Sequence, residues 1–217
     1  MSTLRCAIVD YGIGNVFSVM QALKKLDAQT ELTSDPRAIA AADRVILPGV
    51  GAYGKAAERL RDSGLDQAVM EFVGTGRPFL GICVGMQLLF EIGTEFGEHR
   101  GLGLIPGSVD RISISREDGT AIRVPLIGWH PLTPAEGGSY GDWEGTPLQG
   151  MDRDAAFYFV HSFSARAAQP ENVLAVTRHE GHSVVAAVKS GNVLGTQFHP
   201  ERSSTHGIAF LDRFLRS

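Results

Sequence analysis

The segment Pro78-Phe-Leu-Gly-Ile-Cys-Val-Gly-Met-Gln-Leu-Leu-Phe90 restricts what this chain can fold into more than any other. An apolar run of strand length passes directly into Gly81-Ile-Cys-Val-Gly85 and then into a helical run, leaving no residues for a loop. A turn that sharp presses the backbone against its neighbours, and the hydrogen side chains of Gly81 and Gly85 relieve the crowding. Upstream the same order recurs. The run Cys6-Ala-Ile-Val9 precedes Val16, Val19, Met20, Leu23 and Leu26 at helical spacing. Residues 29–33 and 45–47 read as strands, and 54–61 and 66–73 as helices. Strands alternating with helices predict an α/β fold with a central, mostly parallel sheet flanked by helices and a ligand crevice at the carboxyl ends of its strands.

After Gly107 the pattern changes to β-branched and aromatic runs at 109–114, 122–124, 157–163, 173–177, 184–188 and 193–198, so the second part is strand-rich. Between them, 131–150 is loaded with Gly, Pro and acidic residues and reads as a surface excursion. An amphipathic helix is expected over 207–215. No repeat, low-complexity tract or linker divides the chain, which predicts one domain over residues 1–217.

Charge and composition narrow the function. A formal net charge of −4 without any Lys/Arg block argues against nucleic acid and acidic membranes as partners. No stretch approaches the ~20 apolar residues that span a bilayer, and the first residues lack a secretory pattern, so a cytoplasmic location is expected. The two cysteines, Cys6 and Cys83, have no metal-ligand spacing around them, and no cofactor or metal is called for.

The strand–turn–helix around Cys83 is the context of a nucleophile elbow with Cys in the Ser position. Unpaired N–H groups at the start of the following helix favour a thiolate there. A buried cysteine packed as a small hydrophobe is the competing reading, and the one that suits Cys6 inside its strand. In His199-Pro-Glu201 an extended backbone points residues i and i+2 the same way, so Glu201 can orient His199 as base for Cys83. A turn with a solvated carboxylate is the alternative. The loop Pro48-Gly-Val-Gly-Ala52 can aim N–H groups of Gly49, Val50 and Gly51 at an oxyanion, joined by that of Val84, or it is a plain strand–helix turn. His179-Glu-Gly-His182 reads as a hairpin tip rather than a metal site, and His161 as a strand-end histidine bonded to a neighbour. Tyr11-Gly-Ile-Gly-Asn15 lacks the third glycine of a dinucleotide fingerprint.

Gly81-Ile-Cys-Val-Gly-Met-Gln87 together with His199-Pro-Glu201 resembles the triad-type (class I) glutamine amidotransferases. Within them, Asp10-Tyr-Gly-Ile-Gly-Asn15, Leu47-Pro-Gly-Val-Gly-Ala52, Ile127-Gly-Trp129, Tyr158-Phe-Val-His-Ser162 and Gly195-Thr-Gln-Phe-His-Pro-Glu201 look like the glutaminase subunits of imidazole glycerol phosphate synthases. The resemblance runs nearly end to end. It implies a flavodoxin-like domain in which Cys83 is the nucleophile, His199 the base and Glu201 its orienter. It further implies an oxyanion hole from Gly49, Val50, Gly51 and Val84, and glutamine held by Gly51, Gln87, Ser162 and Phe163. The implied partner is a (β/α)₈ cyclase subunit, with Asn15, Trp129, His130 and Arg202 at or beside the contact. The chain departs from the usual Pro-His-x-Gly-Trp-Asn at Pro125-Leu126-Ile-Gly-Trp-His130, and Arg202 stands where Lys is common. These changes fall at the partner contact, so a related synthase that aminates a sugar nucleotide is the alternative pathway. A non-enzymatic regulatory module is the alternative of a different class.

Overall fold

The structure, a computed structural model, describes residues 4–26, 28–112, 119–120 and 122–217. The elements run β1 (Arg5–Val9), α1 (Val16–Lys24), β2 (Gln29–Thr33), α2 (Pro36–Ala41), β3 (Arg44–Gly49), α3 (Tyr53–Asp62), α4 (Leu65–Gly74), β4 (Phe79–Cys83), α5 (Val84–Gln87), β5 (Phe90–Gly93), β6 (His99–Arg100) and β7 (Ile105–Arg111). There follow β8 (Leu126–Pro131), β9 (Thr133–Pro134), β10 (Ala156–His161), β11 (Phe163–Ala167), β12 (Val173–His179), β13 (His182–Ser190), β14 (Val193–Thr196) and α6 (Ser204–Arg216).

Eight strands form the main sheet in the order β2-β1-β3-β4-β14-β13-β12-β9. The first five are mutually parallel and the last three antiparallel. Every residue of β4 is buried, which is why its sequence is a continuous apolar run rather than an alternating one. The helices fall into two packed groups, α1 with α6 and α2 with α3 and α4. Two smaller sheets lie beside the main one: β11-β7-β5-β6 and the antiparallel pair β10-β8.

Several expectations need correction. The 157–163 run is two strands broken at Ser162, which pair with different partners, β8 and β7. Residues 122–124 form no strand, and the 109–114 run is a strand only to Arg111, with 113 and 114 outside the described residues. The 131–150 segment runs over the surface as expected for most of its length, but it is anchored at a few points. Leu132, Trp143 and Leu148 are buried, and the Trp143 indole N–H donates to the Leu174 carbonyl at 2.9 Å. Three large apolar side chains suffice to pin a stretch whose average composition is that of a loop. The 179–182 segment is a hairpin turn, with His179 opposite His182 and positive φ at Glu180 and Gly181. Among the described residues no helix is long and apolar enough to cross a membrane.

Candidate active site

Cys83 ends β4 with φ 56° and ψ −113°, a backbone region that costs a side-chain-bearing residue about 1–3 kcal/mol. Such a conformation persists where the surroundings leave no alternative, and here the surroundings are glycine. A Cβ on Gly85 would overlap the Leu47 carbonyl, one on Gly81 would stand 2.6 Å from the Gly85 carbonyl oxygen, and one on Gly49 2.6 Å from the Gly85 nitrogen. The end of β3 and the turn after β4 therefore interlock backbone to backbone. The Tyr11 loop braces the same corner, its buried phenol donating to the Pro48 carbonyl at 2.8 Å.

His199 arrives from the next strand, β14. Its N–H donates to the Tyr158 carbonyl at 2.9 Å, and its own carbonyl accepts from Ser203 Oγ at 2.6 Å. Ser203 Oγ in turn accepts from the Tyr158 N–H at 2.9 Å. Behind this segment, Phe198 packs on Phe157 and on Phe210 of α6, and a Cβ on Gly207 would overlap the Pro200 carbonyl, so α6 seats directly on it. Held this way, His199 Nδ1 meets Glu201 Oε1 at 2.8 Å with both side chains buried. The ring also makes a side-chain hydrogen bond to Cys83, and with Nδ1 engaged by Glu201 it is Nε2 that faces the sulfur. Burial disfavours the charged ring, but its hydrogen bonds to Cys83 and Glu201 and their negative charge outweigh this and lift His199 to about 10. The arrangement favours the charged form of the His199 ring.

The thiol opens on a cavity of about 560 Å³ whose walls include Val50, Gly51, Val84, Gln87, Ser162 and Phe163. Gly49, expected beside Val50 and Gly51, is not among the lining residues and instead packs closely on the Gly85 backbone. The structure thus gathers three stretches of chain, after β3, after β4 and after β14, at the carboxyl ends of three adjacent central strands. Residues 7–217 match the family described as Glutamine amidotransferase class-I. The chain belongs to the class I glutamine amidotransferases. It is 40% identical over 210 residues to "Imidazole glycerol phosphate synthase subunit HisH 1" of Legionella pneumophila (strain Lens), covering 97% of this chain and 98% of that protein. To the subunit HisH of Rhodopirellula baltica it is 42% identical over 207 residues, 95% of each chain. Among solved structures, PurLQS from Thermotoga maritima superposes with a TM-score of 0.72 at 20% identity over 99% of both chains, a likeness of fold.

This amidotransferase carries more in its cavity than sequence reasoning found. Glu95, Phe96, Pro125, Val160 and His161 complete the wall. Glu95 is the one carboxylate among the lining residues, and it accepts from the Tyr53 N–H at 2.7 Å. No spacing rule singles it out, because β5 and β6 are too short to reveal which loop joins them. His161 donates from Nδ1 to the Phe163 carbonyl at 2.7 Å, while its buried Nε2 has no partner among the described residues. Burial chiefly, and then the charge of His199, His179 and His130, hold it neutral and depress it to about 4 despite the hydrogen bond to Phe163.

A histidine whose folded pKa lies below its unfolded value contributes stability that is present above about 6.5 and lost as pH falls toward 4. Acid titration should therefore cost the amidotransferase up to about 3 kcal/mol from His161 alone between those limits. His161→Asn, which keeps a donor for Phe163 but does not titrate, should flatten that part of the stability curve measured by denaturant unfolding. Parallel wild-type and variant curves between pH 6.5 and 4 would contradict it.

The residues expected at the partner contact divide. Trp129 is 60% exposed on β8 and stacks edge-on against Tyr158, with ring centroids 4.8 Å apart, while the Arg202 guanidinium lies 4.3 Å from the centre of the Tyr158 ring. Asn15 is half-buried ahead of the exposed Phe17. His130, however, follows Trp129 along the strand and so turns to the other face. Its ring packs against Phe159 and His179 at 6.0 and 6.2 Å, beside the face that carries Trp129 rather than on it. Cys6 is buried in β1, and desolvation pushes its thiol up to about 12, the behaviour of a core residue.

Proposed function

We propose that this chain is the glutaminase subunit of an imidazole glycerol phosphate synthase, one domain working in the cytoplasm beside a (β/α)₈ cyclase subunit. The observation that carries the chemistry is the buried Cys83–His199–Glu201 constellation opening on a cavity wide enough for an amino acid. The pathway is supported by the names of relatives that are 40–42% identical over nearly the whole chain.

Glutamine lies in the cavity with its side-chain amide at Cys83, contacted by Gly51, Gln87, Ser162 and Phe163, and its α-ammonium toward Glu95. The Cys83 thiolate attacks the amide carbon, and the carbonyl oxygen takes the negative charge. The N–H groups of Val84 and of the Val50–Gly51 loop meet that oxyanion, with Gly49 holding the loop against the turn. As the C–N bond breaks, His199 passes its proton to the departing nitrogen, and ammonia leaves a thioester on Cys83. Water then attacks the thioester and gives a proton to His199. The C–S bond breaks, glutamate leaves and the thiolate–imidazolium pair is restored. Glu201 keeps the ring oriented throughout.

Ammonia released into water at neutral pH becomes mostly ammonium and is no longer a nucleophile, so docking against the acceptor enzyme preserves it. Trp129, Arg202 and Asn15 mark the face for that docking, an exposed aromatic at its centre. The cyclase then uses the ammonia to form imidazole glycerol phosphate and an aminoimidazole carboxamide ribotide. The test is glutamate release by the chain alone, with the cyclase subunit of its own genome, and with cyclase plus its ribonucleotide ligand. Low activity alone that rises on each addition is expected, as partner and ligand shift the population toward aligned oxyanion donors. Full activity alone, unchanged by either addition, would mean a free-standing glutaminase. Activation only by a subunit that aminates a sugar nucleotide would reassign the pathway.

A further inference from the structure

We infer that Gln197 is a positioning residue for the nucleophile, an internal amide that holds Cys83 Sγ with a polarity set by the Phe163 backbone carbonyl at the cavity wall. The inference rests on the reading of Cys83 as nucleophile. Gln197 is fully buried, two residues before His199. Both lie in the bend that follows β14, and both side chains approach the same sulfur. The Gln197 Nε2 donates to Cys83 Sγ at 3.7 Å, within reach for a nitrogen–sulfur hydrogen bond. Its Oε1 accepts from Gln87 Nε2 at 3.0 Å, and Gln87 Nε2 donates its second hydrogen to the Phe163 carbonyl at 3.2 Å.

The direction of this relay is forced. A carbonyl oxygen only accepts, so Phe163 turns the nitrogen end of Gln87 toward itself. That same nitrogen then demands an oxygen from Gln197, and the Gln197 amide nitrogen is left for the sulfur. Rotating either amide would place oxygen against oxygen or nitrogen against nitrogen in a buried space, at the cost of unsatisfied polar groups. The consequence for chemistry is a second N–H, besides the His199 ring, aimed at Sγ. A hydrogen bond from a neutral donor stabilises the thiolate more than the thiol, so Gln197 keeps the sulfur ionised and fixes its direction into the cavity.

The experiment is the pH dependence of Cys83 alkylation by iodoacetamide in the full chain, read on the Cys83 peptide by mass spectrometry and set beside the melting temperature. Gln197→Met keeps the length and removes the donor, and its alkylation midpoint should rise by about one pH unit, a tenfold loss of thiolate below the midpoint. Gln197→Glu puts an oxygen against the sulfur and should move the midpoint further. Midpoints equal to wild type in both variants, even with lower melting temperatures, would show a packing role and overturn the inference. Should both variants fail to fold, Gln87→Met, which removes the polarity lock and leaves Gln197 in place, is read the same way: a raised midpoint supports the relay and an unchanged one overturns it. A wild-type Cys83 that alkylates no faster than buried Cys6 would overturn the nucleophile assignment itself, a result separable from the others because it appears before any substitution is made.

Discussion

Replacing Cys83 with alanine is expected to lower glutamine hydrolysis by a factor on the order of 10⁴ or more, since a covalent nucleophile acts as a unit with its base. The fold should survive, because alanine fits the same buried space and keeps the neighbours of the turn. A second substitution separates chemistry from strain. Cys83→Gly also removes the thiol, but glycine adopts φ 56°, ψ −113° without the clash a Cβ meets there. The glycine variant should therefore be more stable than the alanine variant by about 1 kcal/mol, a difference that denaturant midpoints resolve. Comparable stabilities would mean that the turn holds no strain. Glutaminase turnover close to wild type in either variant would remove Cys83 from the mechanism.

The second large effect lies one turn further on. Gly85→Ala places a methyl group on the Leu47 carbonyl, with the Pro48 backbone directly behind it. Neither neighbour is a side chain that can swing aside, so β3 and the turn after β4 must separate. The expected loss is about 3–5 kcal/mol, the exceptional end of single substitutions, and activity should vanish with it. Gly51→Ala is the contrast. At φ +81° with open space around the position, it should cost only about 1 kcal/mol, seen as a small shift of the unfolding midpoint. A Gly85→Ala protein as stable as Gly51→Ala would refute the interlocked-backbone account.

Legibility in the sequence followed the range of the forces involved. The parallel strands β1, β3 and β4 announce themselves because both faces are buried, so past Arg5 and Arg44 at the starts of β1 and β3 they contain no charged or polar side chain. The His199–Glu201 contact was legible as a pairing of near neighbours, but not for the expected reason: only His199 is extended, and Glu201 returns to the ring because Pro200–Arg202 turns as a short 3-10 helix. Other elements had signals that are weak or distant. Helix α2 is only six residues long, and its start is marked solely by Asp35 capping the Arg37 N–H and by Pro36 at the first position. The split of the 157–163 run depends on which strands lie on either side, information held in β7 and β8. Gln197 stands as a polar interruption in an apolar run, but its partners, Gln87 and Cys83, lie 110 and 114 residues away in the chain. His130 shows the opposite case. Its substitution is plain in the sequence, yet the alternation of β8 sends the ring away from the face that carries Trp129.

The interlocked backbones at Gly49, Gly81 and Gly85 also govern how such a chain can change over generations. Where a side chain blocks a substitution, a shorter neighbour can open the way in a second step. Here the obstacles are mainly peptide groups, and no codon change shortens a carbonyl. Gly74, with nothing near the position of a Cβ and no demand on its φ, can drift freely, and Gly12 is held only by its φ of +79°. The three glycines around the thiol have neither freedom. A lineage that abandoned the chemistry would be able to discard Cys83 in a single step, and would carry the vacated turn, glycines intact, long afterwards.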